Sequence, residues 1–357
     1  MPANLDFFST YMLMAINEEI VPKQTFFHDR YFPTGAGDIF AADKVLTEYR
    51  DGDRKMAAFV APRAGDIPVA RRGYAIHEYQ PAYIGISRDL TIDDLQKRGF
   101  GEALYPGSNK AERSARILLQ DQMDLELRIA RREEWMAVQT MINNACDMQE
   151  YVDADTMGEA LRVQFYDAAT DHTYTVANTW DSQNGDFFGD VKAMCRRLAR
   201  RGLPSADLIL GGDAADGICD IQKVRDLLDN KRMEYGSLDP KLTTYEGVAI
   251  LGRLNFGGFM LNLIEVSESY TDNSNNDTLY FPAKSAMVTA PECGHMMYGQ
   301  ITQIDYGATT FSDYANKRVP KLIVDQEHDI RKLRIGTRPL AAPKTKSPYI
   351  YAAKVVS

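Results

Sequence analysis

The chain has 357 residues, 41 Lys and Arg against 50 Asp and Glu, a formal net charge of −9, and 45% apolar and 10% aromatic side chains. That much apolar material excludes a disordered chain, and the length exceeds the roughly 250 to 300 residues that one core serves, so two or more packed units are expected. The acidic balance excludes a dedicated nucleic-acid binder, which needs a positive face to neutralise phosphates, and leaves only local basic patches for such contact.

Residues 4–20 read as a short helix, and no basic residue precedes Lys23, so the charged region of a secretory signal is missing. Pro22 and Pro33 then bracket an arm, PKQTFFHDRYFP, predicted to be extended. It carries Phe26, Phe27, Tyr31 and Phe32 on a segment too short to bury them, so it must lie on the body of this chain or on another subunit. Strand-like runs at Met56–Val60 and Tyr83–Ser87 predict a long hairpin whose tip holds Pro62, Gly65, Pro68 and Gly73. Between residues 54 and 72 five basic side chains (Arg54, Lys55, Arg63, Arg71, Arg72) stand against Asp66 alone, a charge that suits contact with an acidic neighbour as well as a solvated loop.

After Pro106 and Gly107, with Ser108 as the cap, residues 109–147 lack Pro and Gly and read as one long helix. Its apolar residues form two stripes, Leu118, Leu125, Ile129, Met136 and Met123, Leu127, Ala130, Ala137, Met141, Ala145, which predicts a spine packed on a sheet with a wet opposite face. Polar chain follows to 185. Asp186–Arg201 and Ala214–Asn230 read as helices around a buried strand at 207–212, and strands are expected at 247–251, 259–266, 278–281, 286–290 and 300–305. Together these predict an α+β unit on a mostly antiparallel sheet. The tail adds two or three strands and is basic, with ten Lys or Arg against three acids from Lys317 onward. The most apolar late stretch, 248–266, is broken by Arg253, Asn255 and Asn262, so no membrane span is predicted.

No catalytic motif assembles. Gly35 and Gly37 are followed by Phe40 where a dinucleotide loop needs glycine, and neither a phosphate-binding loop, an H-E-x-x-H pair nor a G-x-S-x-G elbow occurs. Asp213, Asp216 and Asp220 fit a helix cap and dipole better than a cation site. Cys293 and His295 supply two ligands where a structural zinc wants four. The four cysteines (Cys146, Cys195, Cys219, Cys293) form no C-x-x-C pair and read as reduced thiols. The expectation is no catalytic, cofactor-binding or metal-binding residue. An aromatic arm, a basic hairpin and a spine helix on a mixed body are segments that neighbouring subunits satisfy, so the residues point to a self-assembling structural protein.

The arm residues Thr25-Phe26-Phe27 and Asp29-Arg30-Tyr31-Phe32-Pro33 carry a further signal, together with Met56-Ala57-Ala58-Phe59-Val60-Ala61-Pro62 running on through Gly65 to Arg71-Arg72-Gly73. With the tail pieces Arg318-Val319-Pro320-Lys321 and Thr337-Arg338-Pro339-Leu340, in this order and spacing, the chain resembles the lambda-type major capsid proteins of tailed phages. The resemblance implies an α+β capsid fold: an N-terminal arm (1–50), an extended loop (51–88), a peripheral domain with the spine helix (89–185), an axial domain (186–300) and return strands of the peripheral domain (301–357). It implies hexamers and pentamers of one protein in an icosahedral virion shell, assembled in the host cytoplasm with scaffold and portal proteins, with room for a decoration protein and weak, non-specific contact with packaged DNA. Arg63, Arg71 and Arg72 are expected in salt bridges between subunits, with Phe26, Phe27, Tyr31 and Phe32 as apolar anchors on an adjacent body. An encapsulin-like compartment is the alternative within the same fold, and a hydrolase using acids of the 186–300 region the alternative outside it.

Overall fold

The computed structural model describes residues 14, 25–42, 44–49, 75–91, 110–151, 157–166, 172–229, 245–272, 275–305, 308–328 and 330–357. In chain order the elements are helix α1 (Phe26–Tyr31), strands β1 (Val45–Tyr49), β2 (Ala75–Tyr79) and β3 (Ile84–Leu90), helix α2 (Lys110–Asn143), and strands β4 (Ala145–Tyr151) and β5 (Met157–Gln164). Helix α3 (Phe187–Arg201), β6 (Asp207–Gly211), α4 (Gly212–Cys219) and α5 (Gln222–Asp229) lead into β7 (Val248–Asn255), β8 (Met260–Val266), β9 (Ser269–Thr271), β10 (Asp277–Leu279), β11 (Ala286–Thr289) and β12 (Gly294–Tyr298). The tail forms β13 (Ile301–Ile304), β14 (Phe311–Tyr314), β15 (Val319–Asp325), β16 (Ile330–Thr337), β17 (Pro339–Pro343) and β18 (Ile350–Ala352).

A five-stranded sheet in the order β18-β11-β6-β8-β7 sits at the centre, with β6 and β8 parallel and the other pairs antiparallel. Strand alternation divides its side chains between two cores. Leu208, Leu210, Leu263, Val288 and Ile350 pack with Val191, Leu198, Ile218 and Val224 of α3, α4 and α5. Their sequence neighbours Ile209, Ile264, Met287 and Tyr351 point the other way, into a core shared with the arm, the end of α2, β12 and β17. Burial on both faces explains why β6 is a continuous apolar run after its aspartate. Its last residue is Gly211, where an added Cβ would fall 2.3 Å from the Pro282 carbonyl oxygen and leave no room for a side chain.

Helix α2, about 50 Å long at 1.5 Å per residue, joins that core to a smaller one. Leu118, Leu125 and Ile129 lie on Leu322, Leu333 and Ile335 of the β15-β16-β3 sheet, while Met136, Ala137 and Met141 enter the large core. Arg88 on β3 holds the helix from the side, its Nη1 2.8 Å from both Asp121 and Asp124. The helix stops at Asn143 because Asn144 adopts φ 52°, a left-handed conformation that asparagine tolerates, and residues expected to continue it enter β4 instead. Among the described residues no helix is long and apolar enough to cross a membrane.

Strand β3 pairs with β16, 240 residues and more away, and β1 and β2 pair on either side of the 50–74 segment; the strand expected at 56–60 lies outside the described residues. Two other expectations change. The helix expected at 214–230 is two, α4 and α5, separated at Asp220 and Ile221. The tail is divided: β15 and β16 cover the spine helix, but β18 crosses to the edge of the five-stranded sheet, where Ile350 and Ala352 complete the core of α3, α4 and α5.

Candidate functional site

The arm is a helix where an extended segment was expected. Thr25 is extended and precedes α1, whose free N–H groups find their acceptor on another element: Glu134 of α2 takes the Phe27 amide at 2.6 Å and the His28 amide at 2.8 Å. A cap supplied from 107 positions away leaves no local trace in sequence. One helical turn then sets Phe27 and Tyr31 on one face. Phe27 stacks on Phe281 at 6.1 Å and Phe26 meets Tyr245 edge to face at 5.5 Å. Phe32 covers Gly294, where an added Cβ would lie 2.2 Å from its ring. All four aromatics are at most 1% exposed within their own chain. They were expected to anchor on an adjacent body; within their own chain their apolar area is covered by its core.

Two buried ionic groups fasten the arm junction. Asp207, at the start of β6, receives Arg30 Nε at 2.8 Å, Arg30 Nη2 at 3.0 Å, the Tyr31 hydroxyl at 3.0 Å and the Asn262 amide at 2.8 Å. The fork of Arg30 fits the two carboxylate oxygens, so every lone pair that faces the interior is used. Arg318, just ahead of β15, donates Nε to Glu126 at 2.8 Å and Nη2 to Glu133 at 2.7 Å, both on α2, with the Tyr298 ring centroid 5.8 Å from its guanidinium carbon. Tyr349 completes the seat of the helix, its buried hydroxyl donating to the Thr140 carbonyl at 2.9 Å.

Burial and pairing compete at each group. Burial pushes the Glu133 carboxyl up, but the charge and hydrogen bonds of Arg318 hold it below its ordinary value. Glu134 has no such cation, and burial raises it to about 7 against the pull of the Phe27 and His28 amides. His28 is lowered by burial but raised overall by its hydrogen bond to Asp29 and by the Glu133 charge. Arg30 is opposed by burial and raised overall by its bonds to Asp207. The Arg30–Asp207 and Arg318–Glu126–Glu133 pairs each join residues of different elements and so clamp those elements together.

The remaining candidates stay apart. Arg63, Arg71 and Arg72 lie outside the described residues. Cys293, just ahead of β12, and His295 within it do not form one site: the Cys293 thiol is buried beside the Tyr31 carbonyl at 3.8 Å and is pushed up to about 12 by burial, while His295 faces Asp38. Asp213 and Asp216 are exposed on α4, and Asp220 pairs with Arg225. Among the described residues no three His, Cys, Asp or Glu side chains gather closely enough to hold a metal ion. Sequence reasoning missed Asp207, Glu126, Glu133 and Glu134. The available signal was partial, since Arg30 and Arg318 stand in the motifs Asp29–Pro33 and Arg318–Lys321 and need buried counter-ions.

The model of the family described as phage major capsid protein E matches residues 9–352. Over 144 residues the chain is 26% identical to the major capsid protein of Escherichia phage lambda, a stretch that spans about two fifths of each protein, 40% of this chain and 42% of that one. A crystal structure assigned as a prophage capsid protein of E. coli CFT073 superimposes with a TM-score of 0.68 at 16% identity, covering 97% of this chain and 99% of that chain. The shared architecture is therefore that of a phage capsid protein.

Proposed function

The chain belongs to the phage major capsid protein E family, and on that premise we propose that it is the head protein of a tailed phage, closing as hexamers and pentamers into an icosahedral shell around double-stranded DNA. The family match across residues 9–352 carries this reading. Its work is mechanical rather than catalytic. A shell protomer must transmit load between neighbours without coming apart, and here the arm, the spine helix, the central sheet and the return strands share one core and two buried ion-pair clusters. Weak contacts repeated on several neighbours then multiply into a closed particle.

In this reading α2 with β3, β15 and β16 forms the peripheral part, and the five-stranded sheet with α3, α4 and α5 the axial part that gathers at capsomer centres. Scaffold and portal proteins act during assembly in the host cytoplasm, a decoration protein can bind the finished virion shell, and contact with DNA is weak and independent of base sequence because the chain is acidic overall. The test is electron microscopy of the purified chain, alone and with a co-expressed scaffold, beside size-exclusion chromatography. Closed shells, tubes or capsomer rings are expected. A monodisperse monomer or dimer under every salt and concentration would overturn the reading.

A further inference from the structure

One groove, of about 590 Å³, opens on the outer face of the β15-β16-β3 sheet, opposite the face that lies on the spine helix. Alternation along β16 turns Leu333 and Ile335 inward and Arg334 and Gly336 outward. Gly336 stands directly across from Gly85 on β3, and the Tyr83 ring is laid over this glycine pair: an added Cβ would sit 2.5 Å from the ring at Gly85 and 2.6 Å from the hydroxyl at Gly336. Two paired glycines thus make a flat seat that fixes one aromatic wall, 41% exposed on its outer side.

The opposite wall is the β13–β14 hairpin, seated on the same sheet by Ile301, Tyr314 and Val319. Thr302 and Asp313 face each other across the hairpin and line the groove, the threonine hydroxyl donating to the aspartate at 2.5 Å. Phe311 lies two residues from Asp313, on the same face, and is 74% exposed, more than any other large apolar side chain among the described residues. The floor is cationic. Arg334 and Arg338 line it, and among the described residues neither pairs with a carboxylate; the one polar contact of the Arg334 guanidinium is a long 3.5 Å approach to Gln303. Lys321 stands opposite Arg334 on β15, held below its ordinary value by burial and then by that arginine, against the weaker pull of Asp305.

We propose that this groove is an inter-subunit socket that takes a carboxylate-bearing segment of a second copy of the chain, with the carboxylate between Arg334 and Arg338 and an adjoining apolar side chain between Tyr83 and Phe311. The inference deepens the shell reading and rests on it. Charge complementarity selects the occupant: the groove holds arginines without carboxylate partners, and every copy carries 50 acids against 41 bases. Exposed aromatic walls around arginines are the composition of a contact centre rather than of an idle surface.

The test places the photoreactive benzoylphenylalanine at position 311 of the full chain, mixes isotopically light and heavy copies, allows particles to form, irradiates them and maps the adducts by mass spectrometry. The expected adduct joins position 311 of one copy to a stretch containing Asp or Glu of another, as light–heavy pairs. Arg334→Glu with Arg338→Glu is expected to lower that yield about tenfold or more at an unchanged thermal midpoint, and Phe311→Ser to raise the concentration needed for assembly about tenfold. Adducts confined to single copies, adducts to a different protein, or a yield indifferent to the arginine changes would overturn the socket while leaving the shell reading intact. Absence of any particle from the unmodified chain would overturn both.

Discussion

Glu134 sits in an environment that its sequence neighbours do not suggest. It is a buried carboxyl raised from 4.5 to about 7, next to His28, which is raised from 6.5, with Glu268 adding repulsion. Between pH 4.5 and 7 the folded chain holds a proton on Glu134 that the unfolded chain has released, so the Glu134 contribution falls as pH rises through that window. The His28 contribution has the same direction, present below 6.5 and lost as pH rises through its raised folded value. For Glu134 the span corresponds to on the order of 3 kcal/mol. Thermal melting of the wild type and Glu134→Gln from pH 5 to 8 checks this: the wild type is expected to lose more of its midpoint, and parallel curves would refute the assignment. Arg318 presents the opposite case. Arg318→Ala would leave Glu126 and Glu133 buried without a cation, at an expected cost of about 3–5 kcal/mol in denaturant unfolding, whereas Arg318→Ala with Glu126→Gln and Glu133→Gln is expected to recover part of it.

Among the elements, α1 shows how little local propensity decides. Nothing between Thr25 and Tyr31 favours a helix strongly, yet the segment is helical because α2 supplies its cap and β12 its seat. The seat depends on Gly294, since a methyl group there meets the Phe32 ring at 2.2 Å and the Ala342 carbonyl at 2.9 Å. Gly294→Ala is expected to cost about 1–3 kcal/mol and to expose the arm to limited proteolysis before the rest of the chain unfolds. Unchanged cleavage rates would show that the arm is held by other contacts. The long helix was legible from its composition to within a few residues, because 34 positions of strong helix formers outweigh any one neighbour. The partner of β3 was not, because it lies in β16, and strand pairing at that separation has no local signature.

At the scale of the molecule, one core runs from the arm through the end of the spine helix to the back of the central sheet. The basic 54–72 segment lies outside the described residues, and its five basic side chains against Asp66 alone suit contact with an acidic neighbouring subunit. Arg71→Glu with Arg72→Glu is therefore expected to leave secondary structure and melting unchanged while abolishing particles in electron microscopy, and normal particles from that variant would refute the role of these arginines between subunits. The last strand gives a second check. Ile350→Asp would place a charge in the core of α3, α4 and α5, and a loss of several kcal/mol is expected by chemical denaturation, although the residue lies within a dozen positions of the end of the sequence.

Composition and pattern alone determined the fold class, the spine helix, the buried strand expected at 207–212 and, through short motifs in order, the capsid-like character. Each of these is written in consecutive residues or in their overall balance. The tertiary structure decided which way the arm faces, which acids neutralise Arg30 and Arg318, where the final strand pairs, and that Gly85, Gly336 and Tyr83 build one wall of a groove. Those features join residues tens to hundreds of positions apart, and only the closing of the chain into a packed core brings their charges, rings and backbone groups within reach.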